Sequence, residues 1–288
     1  MVWLNLCLAI IMFGIALGMR PSDFKHLSAH PKTVAVGLGS QFLLLPALTA
    51  LLIYLLRPDP AIAMGMLLVA ACPGGNVSNF ISLLARARIA LSVSLTACAT
   101  LLCPVLTPVN FRFWASVLPD THELFERFAI DFASVAQSVA IVLLIPIALG
   151  MGLRALAPRL SAIIEKPVKW LSFAILMAFI VLAIFNNLGA FRAHLLEVFF
   201  LVLIHNALAF AAAYYSAYAS GLEEPDRRSI SIETGIQNSG LGLIIIFTYF
   251  GGNGGMALVA AWWGVWHILA GLLLARFFAL RDLRLQAE

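Results

Sequence analysis

The sequence contains few charged residues. Only 11% of its 288 residues are Asp, Glu, Lys or Arg, whereas 62% are hydrophobic. A soluble domain usually has about a quarter of its residues charged and about half apolar. The net charge of +4 is small and scattered, which argues against a nucleic-acid partner. These values predict a polytopic protein whose main partner is the lipid bilayer.

Motifs for covalent or metal chemistry are also missing. The four cysteines, Cys7, Cys72, Cys98 and Cys103, lie in apolar segments without a CxxC pair or other metal-ligand spacing. That pattern predicts buried free thiols. The sequence has no HExxH, no GxSxG and no phosphate-binding loop. We therefore expect a protein that is not an enzyme.

Nine segments are long and apolar enough for transmembrane helices, which need about 20 residues each. Their predicted bounds are 2–19, 33–56, 61–84, 89–109, 128–153, 167–188, 194–219, 228–250 and 255–279. The first has no basic region and no A-x-A cleavage site, so we interpret it as a retained span. We expect an all-α polytopic fold that forms one membrane domain over residues 1–288, with no soluble domain.

Basic residues are distributed unevenly between the connections. With nine alternating spans, 14 of the 18 Lys and Arg residues fall on one side, and the other side has only Arg57, Arg112, Arg127 and Arg192. The positive-inside rule then predicts a multi-pass protein of the inner (cytoplasmic) membrane, with its N-terminus outside and its C-terminus in the cytoplasm.

Two of the nine segments are interrupted by residues that disfavour a membrane helix. The third contains CPGGNVSN (72–79) and the eighth contains SIETGIQNSGLG (231–242). Irregular backbone at this depth is tolerated only where protein or a wet cavity surrounds it. Because the two segments are five apart in order, they cross in opposite directions. Such a pair is typical of an inverted-repeat transporter with two discontinuous, crossing helices.

Glu233 is the one carboxylate that we place well inside a segment, and no Lys or Arg lies at comparable depth in another segment. An ionisable residue at this depth is a functional candidate by default. Neutral oxygen groups accompany it: Ser92, Thr96 and Thr100 lie on one helical face, and Gln41 lies in the second segment. This set suits a hard monovalent cation such as sodium, and a proton is the alternative.

The ninth segment carries His267 and three tryptophans. A lone His in a bundle is either a hydrogen-bonded structural residue or a contact for substrate or proton. Trp262, Trp263 and Trp266 open the segment and are predicted to anchor it at the outer interface.

The chain resembles the bile acid:sodium symporter family at these residues. Two long motifs carry the resemblance, CPGGNVSNFISLLARARIALSVSLTACATLLCPVLTPV (72–109) and RRSISIETGIQNSGLG (227–242), with support from QFLLLP (41–46), IHNALAF (204–210) and VWH (265–267). The resemblance implies a core and a panel. The core would contain 61–109 and 194–250, with ligands from 33–56, and the panel would contain 2–56, part of 128–188, and 255–279.

The resemblance also implies two sodium ions and a substrate site. The first sodium site would consist of Ser78, Asn79, Ser92, Thr96 and Glu233. The second would consist of Gln41, Glu233 and Gln237 with the backbone oxygens of Thr234 and Ile236. Asn76, Asn238 and His267 would contact the substrate.

The implied function is sodium-coupled symport of an organic anion into the cytoplasm by alternating access. We expect the protein to be a monomer. The anion would be bile-acid-like or a small carboxylate. Many family members have Thr at the position of Asn76 and Asn at the position of Ile268, so the substrate stays open. The alternatives are a proton-coupled carrier, an exporter similar to arsenite permeases that uses Cys72, and a passive channel or sensor.

Overall fold

A computed structural model of the chain describes residues 2–19, 29–128, 132–186 and 188–287. These ranges are almost entirely helical and contain no strand, which confirms the all-α expectation. The helices are α1 (Val2–Leu17), α2 (Pro31–Gly39), a π-helical turn (Ser40–Leu44), α3 (Leu45–Leu56), α4 (Pro60–Ala71), α5 (Val77–Leu84), α6 (Ile89–Val117), α7 (Pro119–Arg127), α8 (Phe132–Leu156), α9 (Pro158–Asn186), α10 (Leu188–Ala219), α11 (Glu224–Gly235), α12 (Ser239–Tyr249) and α13 (Gly254–Ala287).

Several of these helices have the length and composition of membrane spans. Within the described ranges, four continuous stretches qualify, namely Pro31–Leu56, Ile89–Val117, Arg192–Ala219 and Gly254–Leu283. Three shorter apolar helices accompany them, Pro60–Ala71, Leu143–Leu156 and Ser239–Tyr249. The total of nine spans stays a prediction.

Both predicted interruptions are confirmed. The first segment breaks after α4, because Cys72 is extended and helix resumes only at Val77 in α5. The second breaks after α11, where Ile236 leaves the helical conformation and α12 begins at Ser239. Each segment therefore consists of two half-helices separated by a short non-helical stretch.

Small residues let several helices approach closely. An added Cβ at Gly14 in α1 would lie 2.9 Å from Ser172 Oγ in α9, and one at Gly150 in α8 would lie 2.6 Å from the Cβ of Ala16. Gly65 in α4 is packed as tightly against the backbone of Met256 in α13. Such contacts are the usual basis of helix association in a bilayer. They group α1 with α8 and α9, and α13 with the interrupted helices.

Two expectations about local structure were wrong. The predicted spans 128–153 and 167–188 leave residues 154–166 between them as a connection, but this segment is almost entirely helical, because α8 continues to Leu156 and α9 begins at Pro158. Proline is well suited to the first turn of a helix, so Pro158 starts α9 instead of ending the helical region. Trp263 is not an interfacial anchor either, because its side chain is completely buried in the core.

Candidate ion and substrate site

The two interrupted segments meet through their backbones. The Gly75 N–H donates to the Ile236 carbonyl (2.9 Å), and the Asn238 N–H donates to the Pro73 carbonyl (2.8 Å). Gly74 and Gln237 form an isolated antiparallel bridge between these two bonds. The two non-helical stretches thus run in opposite directions and satisfy each other's polar groups, as buried irregular backbone requires.

The Glu233 carboxylate lies next to this bridge and is buried among hydroxyl groups. Oε2 accepts hydrogen bonds from Ser78 Oγ (2.6 Å) and Ser92 Oγ (3.2 Å), and Oε1 accepts one from Thr96 Oγ1 (2.7 Å). Asn79 Oδ1 lies 2.9 Å from Ser92 Oγ and 3.3 Å from Thr96 Oγ1. These five residues, called the Glu233 cluster below, are the ones that the family resemblance implies for the first sodium site.

Three helices supply this cluster. Ser78 and Asn79 open α5, Glu233 lies near the end of α11, and Ser92 and Thr96 project from one face of α6. Ser82, which the sequence reading did not include, extends the network by donating to Ser92 Oγ at 3.1 Å. Glu233 has no ion-pair partner among the residues that the structure describes.

A second set of buried polar groups lies close to the Glu233 carboxylate. Gln41 is fully buried, and neither of its amide atoms has a hydrogen-bond partner in the described ranges. The same is true of Gln237 Oε1 and Thr234 Oγ1, whereas Gln237 Nε2 donates to the Thr234 carbonyl (2.8 Å). The Ile236 carbonyl already accepts the hydrogen bond from the Gly75 N–H. Residues 41, 234 and 237 are called the Gln41 group below.

Gly74 allows the Glu233 cluster and the Gln41 group to lie close together, because it has no side chain that would fill the space between them. A Cβ at this position would lie 2.2 Å from Glu233 Oε1 and 2.8 Å from Gln41 Nε2. Both distances are shorter than any real carbon contact. The Gln41 amide and the Glu233 carboxylate therefore approach the same small space, which only glycine leaves open.

Gln41 lies in a π-helical turn that the sequence reading missed. The turn covers Ser40–Leu44, and Pro46 follows it. Pro46 has no N–H to donate to the Phe42 carbonyl four residues earlier. Asn110 Nδ2 of α6 donates to that carbonyl instead, at 2.8 Å. Single π-helical turns are frequent at functional sites. In the sequence, the only sign of this turn is that Pro46 follows Gln41 within five residues.

Two further side chains satisfy the carbonyls where the half-helices end. Thr107 Oγ1 donates to the Ala71 carbonyl of α4 (2.7 Å), and Asn206 Nδ2 donates to the Gly235 carbonyl of α11 (2.7 Å). Helix ends leave such carbonyls without intrahelical partners. Neither residue was singled out from the sequence, although a hydroxyl between two prolines and an amide in an apolar segment are both detectable signals.

A cavity of about 480 Å³ lies beside the crossing. Asn76, Asn238 and His267, the residues expected to contact substrate, all line it, and so does Lys169 of α9. Asn76 is exposed and precedes α5, whereas Asn238 caps α12 by accepting from the Leu241 N–H (3.0 Å). The N-termini of two half-helices thus border one cavity, where their N–H groups favour an anion.

A carboxylate buried among hydroxyls, at the crossing of two broken helices in a bundle of apolar helices, defines the class of ion-coupled membrane transporters. Within the described ranges, no three His, Cys, Asp or Glu side chains come together as a metal site would require. Besides the Glu233 carboxylate, the groups that could bind a cation here are hydroxyl, amide and carbonyl oxygens, which suit a hard monovalent cation.

Comparison with known proteins leads to the same class and identifies the family. The model of the sodium bile acid symporter family matches residues 5–193, and the chain belongs to this family. It is 30% identical over 285 residues to "Uncharacterized sodium-dependent transporter YocS" of Bacillus subtilis, covering 99% of this chain and 85% of the relative.

Eukaryotic relatives are similar over shorter shares of their own length. "Probable sodium/metabolite cotransporter BASS1, chloroplastic" of Oryza sativa is 30% identical over 93% of this chain and 64% of the relative. "Sodium/bile acid cotransporter 5" of Rattus norvegicus is 27% identical over 85% of this chain and 54% of the relative. The protein is therefore a member of a family of sodium-dependent transporters, which act on small molecules across a membrane.

Proposed function

We propose that the protein couples the entry of sodium to the uptake of an organic anion into the cytoplasm by alternating access. One observation carries the proposal. The buried carboxylate of Glu233 has hydroxyl donors from two other helices and no basic partner among the described residues. A carboxylate in this position needs a cation, and a sodium ion that arrives from solution supplies one.

The proposal assigns one sodium ion to the Glu233 cluster and a second to the Gln41 group, with Glu233 between them. Gln41 Oε1 and Gln237 Oε1 support the second ion, since buried oxygens without partners are costly unless a ligand satisfies them. The Thr234 and Ile236 carbonyls each accept one hydrogen bond within the chain, so each retains a lone pair.

The anion would occupy the cavity beside the crossing. Its acidic group would face the N-termini of α5 and α12, with Asn76, Asn238 and His267 around it. Sodium binding would precede anion binding, because the ions organise the crossing whose backbone borders the cavity. With two sodium ions and a monoanion, one positive charge moves inward, and a potential of 100 mV adds about 2.3 kcal/mol of driving force.

We assign α1, α8 and α9 to the panel, and the remaining helices to the core. The sequence-based expectation had placed 2–56 and 255–279 in the panel, so this assignment moves residues 31–56 and 254–287 to the core. Gly37 packs α2 against Leu95 of α6, and Gly65 and Gly255 pack α13 against α4. The proposed orientation in the inner membrane follows from the basic loops: N-terminus outside and C-terminus in the cytoplasm. The core would then rock against the panel to alternate access, within a monomer.

Uptake into proteoliposomes tests the proposal. An inward sodium gradient should drive accumulation of a labelled carboxylate, with cholate and pyruvate as the first probes, and Glu233→Ala should abolish it. Sodium-driven uptake that persists unchanged in Glu233→Ala would falsify the proposal. Accumulation that follows a pH gradient without sodium would favour the proton-coupled carrier, and flux without accumulation would favour a channel.

A further inference from the structure

Lys169 places a positive charge on the wall of the crossing cavity. From the sequence alone, Lys169 is one of the 14 basic residues on the predicted cytoplasmic side. In the structure it lies within α9 and lines the same cavity as Asn76 and Asn238. Its side chain is 52% exposed.

The ammonium group of Lys169 is paired with an acidic residue that also has a second basic partner. Its Nζ donates to Glu165 Oε1 at 2.6 Å, one helical turn earlier. The other oxygen of Glu165 accepts from Arg154 at 3.2 Å, and Arg154 is only 14% exposed. Glu165 would keep a cationic partner after losing Lys169, so the cost of exchanging one anion for another at Lys169 is small.

The packing of α1 against α9 fixes the position of this charge. An added Cβ at Gly18 would lie 3.6 Å from Lys169 Nζ and 3.8 Å from Glu165 Oε1. Gly14, one turn earlier, is in close contact with Ser172 and Val168 of α9. The lysine stem therefore lies along a closely packed helix pair, which limits the directions in which the ammonium group can point.

The remaining walls of the cavity indicate the shape of the ligand. They include the side chains of Ile15, Val77, Phe80, Phe173 and Met177, which are apolar and partly exposed. A cavity with apolar walls and a few convergent polar groups binds the apolar body of a ligand and orients its polar end. A lysine on such a wall favours an amphipathic molecule that carries a carboxylate or a sulfonate.

We infer that Lys169 is a specificity-determining contact, which binds the acidic group of an amphipathic anion in exchange for Glu165. The inference rests on the proposed function, because it concerns the same cavity. It adds a residue from the panel side to the anion site, whereas the half-helix N-termini belong to the core. The binding of an anion that contacts both Lys169 and the half-helix N-termini would therefore depend on the distance between panel and core.

Binding of labelled cholate to the purified protein in lipid nanodiscs, in sodium buffer, tests the inference. Lys169→Gln should raise the Kd for cholate by about five- to twentyfold, as expected for the loss of one charge-assisted hydrogen bond. Lys169→Arg should restore most of the affinity. Methyl cholate, the uncharged analogue, should compete equally well in both, so that Lys169→Gln loses the preference for the charged form.

Lys166→Gln is the matched control. It removes the same charge one turn away, at an exposed position that does not line the crossing cavity. Its Kd for cholate should equal that of the wild type. A Lys169→Gln protein with wild-type affinity and charge preference overturns the inference, as does equal weakening by Lys166→Gln or failure of the wild type to bind cholate.

Sodium-induced stabilisation distinguishes a failure of the inference about Lys169 from a failure of the proposed function. The sodium-induced rise in unfolding temperature should be the same in Lys169→Gln as in the wild type, and should disappear in Glu233→Ala. If the wild type shows no sodium-induced rise, the proposed function fails. If the rise is present but the cholate results contradict the role of Lys169, only the inference fails.

Discussion

Gly74 is the residue at which the two sets of oxygens come together. Any side chain there would occupy the space into which Glu233 Oε1 and Gln41 Nε2 point. The glycine is therefore needed for the volume that it leaves open, and not for a special backbone angle, because its φ is not positive.

We expect Gly74→Ala to abolish sodium-induced stabilisation, because the methyl group would push the Glu233 carboxylate away from its hydroxyl donors. Thermal unfolding across a sodium titration measures this. Gly242→Ala is the control: it lies in α12, and an added Cβ would have its nearest contact at 3.7 Å, with Cys72 Sγ. A normal sodium response in Gly74→Ala would contradict the role that we assign to this space.

For Gln41 we predict that a substitution keeps or raises the stability of the sodium-free protein. Its buried amide makes no hydrogen bond within the described ranges, so removing it relieves a desolvation cost of about 1–3 kcal/mol. We expect Gln41→Met to unfold at or above the wild-type temperature in sodium-free buffer and to respond less to added sodium. A large loss of stability without sodium would mean that Gln41 has a structural role instead.

The interruptions in the two broken segments could be predicted because their signals are local. Proline, glycine and asparagine at 73–76, and Gly235 and Asn238 in the second segment, disfavour a helix regardless of what surrounds them. The π-helical turn, the short helix α7 and the continuation of helix through 154–167 were not predictable in this way. They depend on which distant residue, such as Asn110 for the Phe42 carbonyl, packs against each segment.

The same division applies to the candidate site. Glu233, Ser92 and Thr96 could be selected from the sequence, because polar groups within apolar segments are conspicuous, whereas Ser78 and Asn79 were assigned through the family resemblance. Lys169 could not, since its charge fitted the pattern of a cytoplasmic connection and only the packing of α9 places it on the cavity. Asn206 and Thr107 acquire their role from the half-helix ends that they contact.

Asn110 donates to the Phe42 carbonyl in place of the N–H that Pro46 lacks, and this compensation can be tested by mutation. Asn110→Ala leaves the Phe42 carbonyl without its donor and should cost about 1–3 kcal/mol of stability. Pro46→Ala restores an N–H that can donate to the same carbonyl, so the cost of Asn110→Ala should shrink in that background. Unfolding temperatures of the four proteins of this cycle measure the coupling. Equal costs in both backgrounds would rule out compensation.

A network of charged residues ties together the end of the molecule that we place in the cytoplasm. Arg228 is only 4% exposed and donates to both oxygens of Asp282 in α13 (2.6 and 2.8 Å) and to the Ala85 carbonyl (3.0 Å). Arg88 forms ion pairs with Glu223 and Asp226. These contacts join α5, α6, α11 and α13, as expected if the proposed core moves as one body.

Glu224 makes this network sensitive to acid. Burial raises the pKa of its carboxyl group, but hydrogen bonds from Tyr214 and Arg228 and the charge of Arg281 outweigh burial, so the pKa lies below its usual value. A lowered pKa means that ionised Glu224 stabilises the folded state above the unfolded-state pKa and that this stabilisation is lost as the pH falls further.

We therefore expect Glu224→Gln to lower the unfolding temperature at pH 7 and to have a smaller effect below about pH 4, where the wild-type carboxyl is increasingly protonated. Unfolding curves across this range would measure the difference between the two proteins. Glu123→Gln is a suitable control, because Glu123 is 82% exposed and its ion pair with Arg127 is long, at 3.9 Å. An equal effect of Glu224→Gln at all pH values would contradict this account.

The crossing itself is held by hydrogen bonds from backbone to backbone, Gly75 to Ile236 and Asn238 to Pro73. Every residue offers a carbonyl and every residue except proline offers an N–H, so these bonds do not depend on which side chains flank them. Positions such as 76 and 238 can change during evolution while the frame is kept. One scaffold can then accept a new substrate through a few substitutions on the cavity wall, while the proposed ion-binding residues stay unchanged.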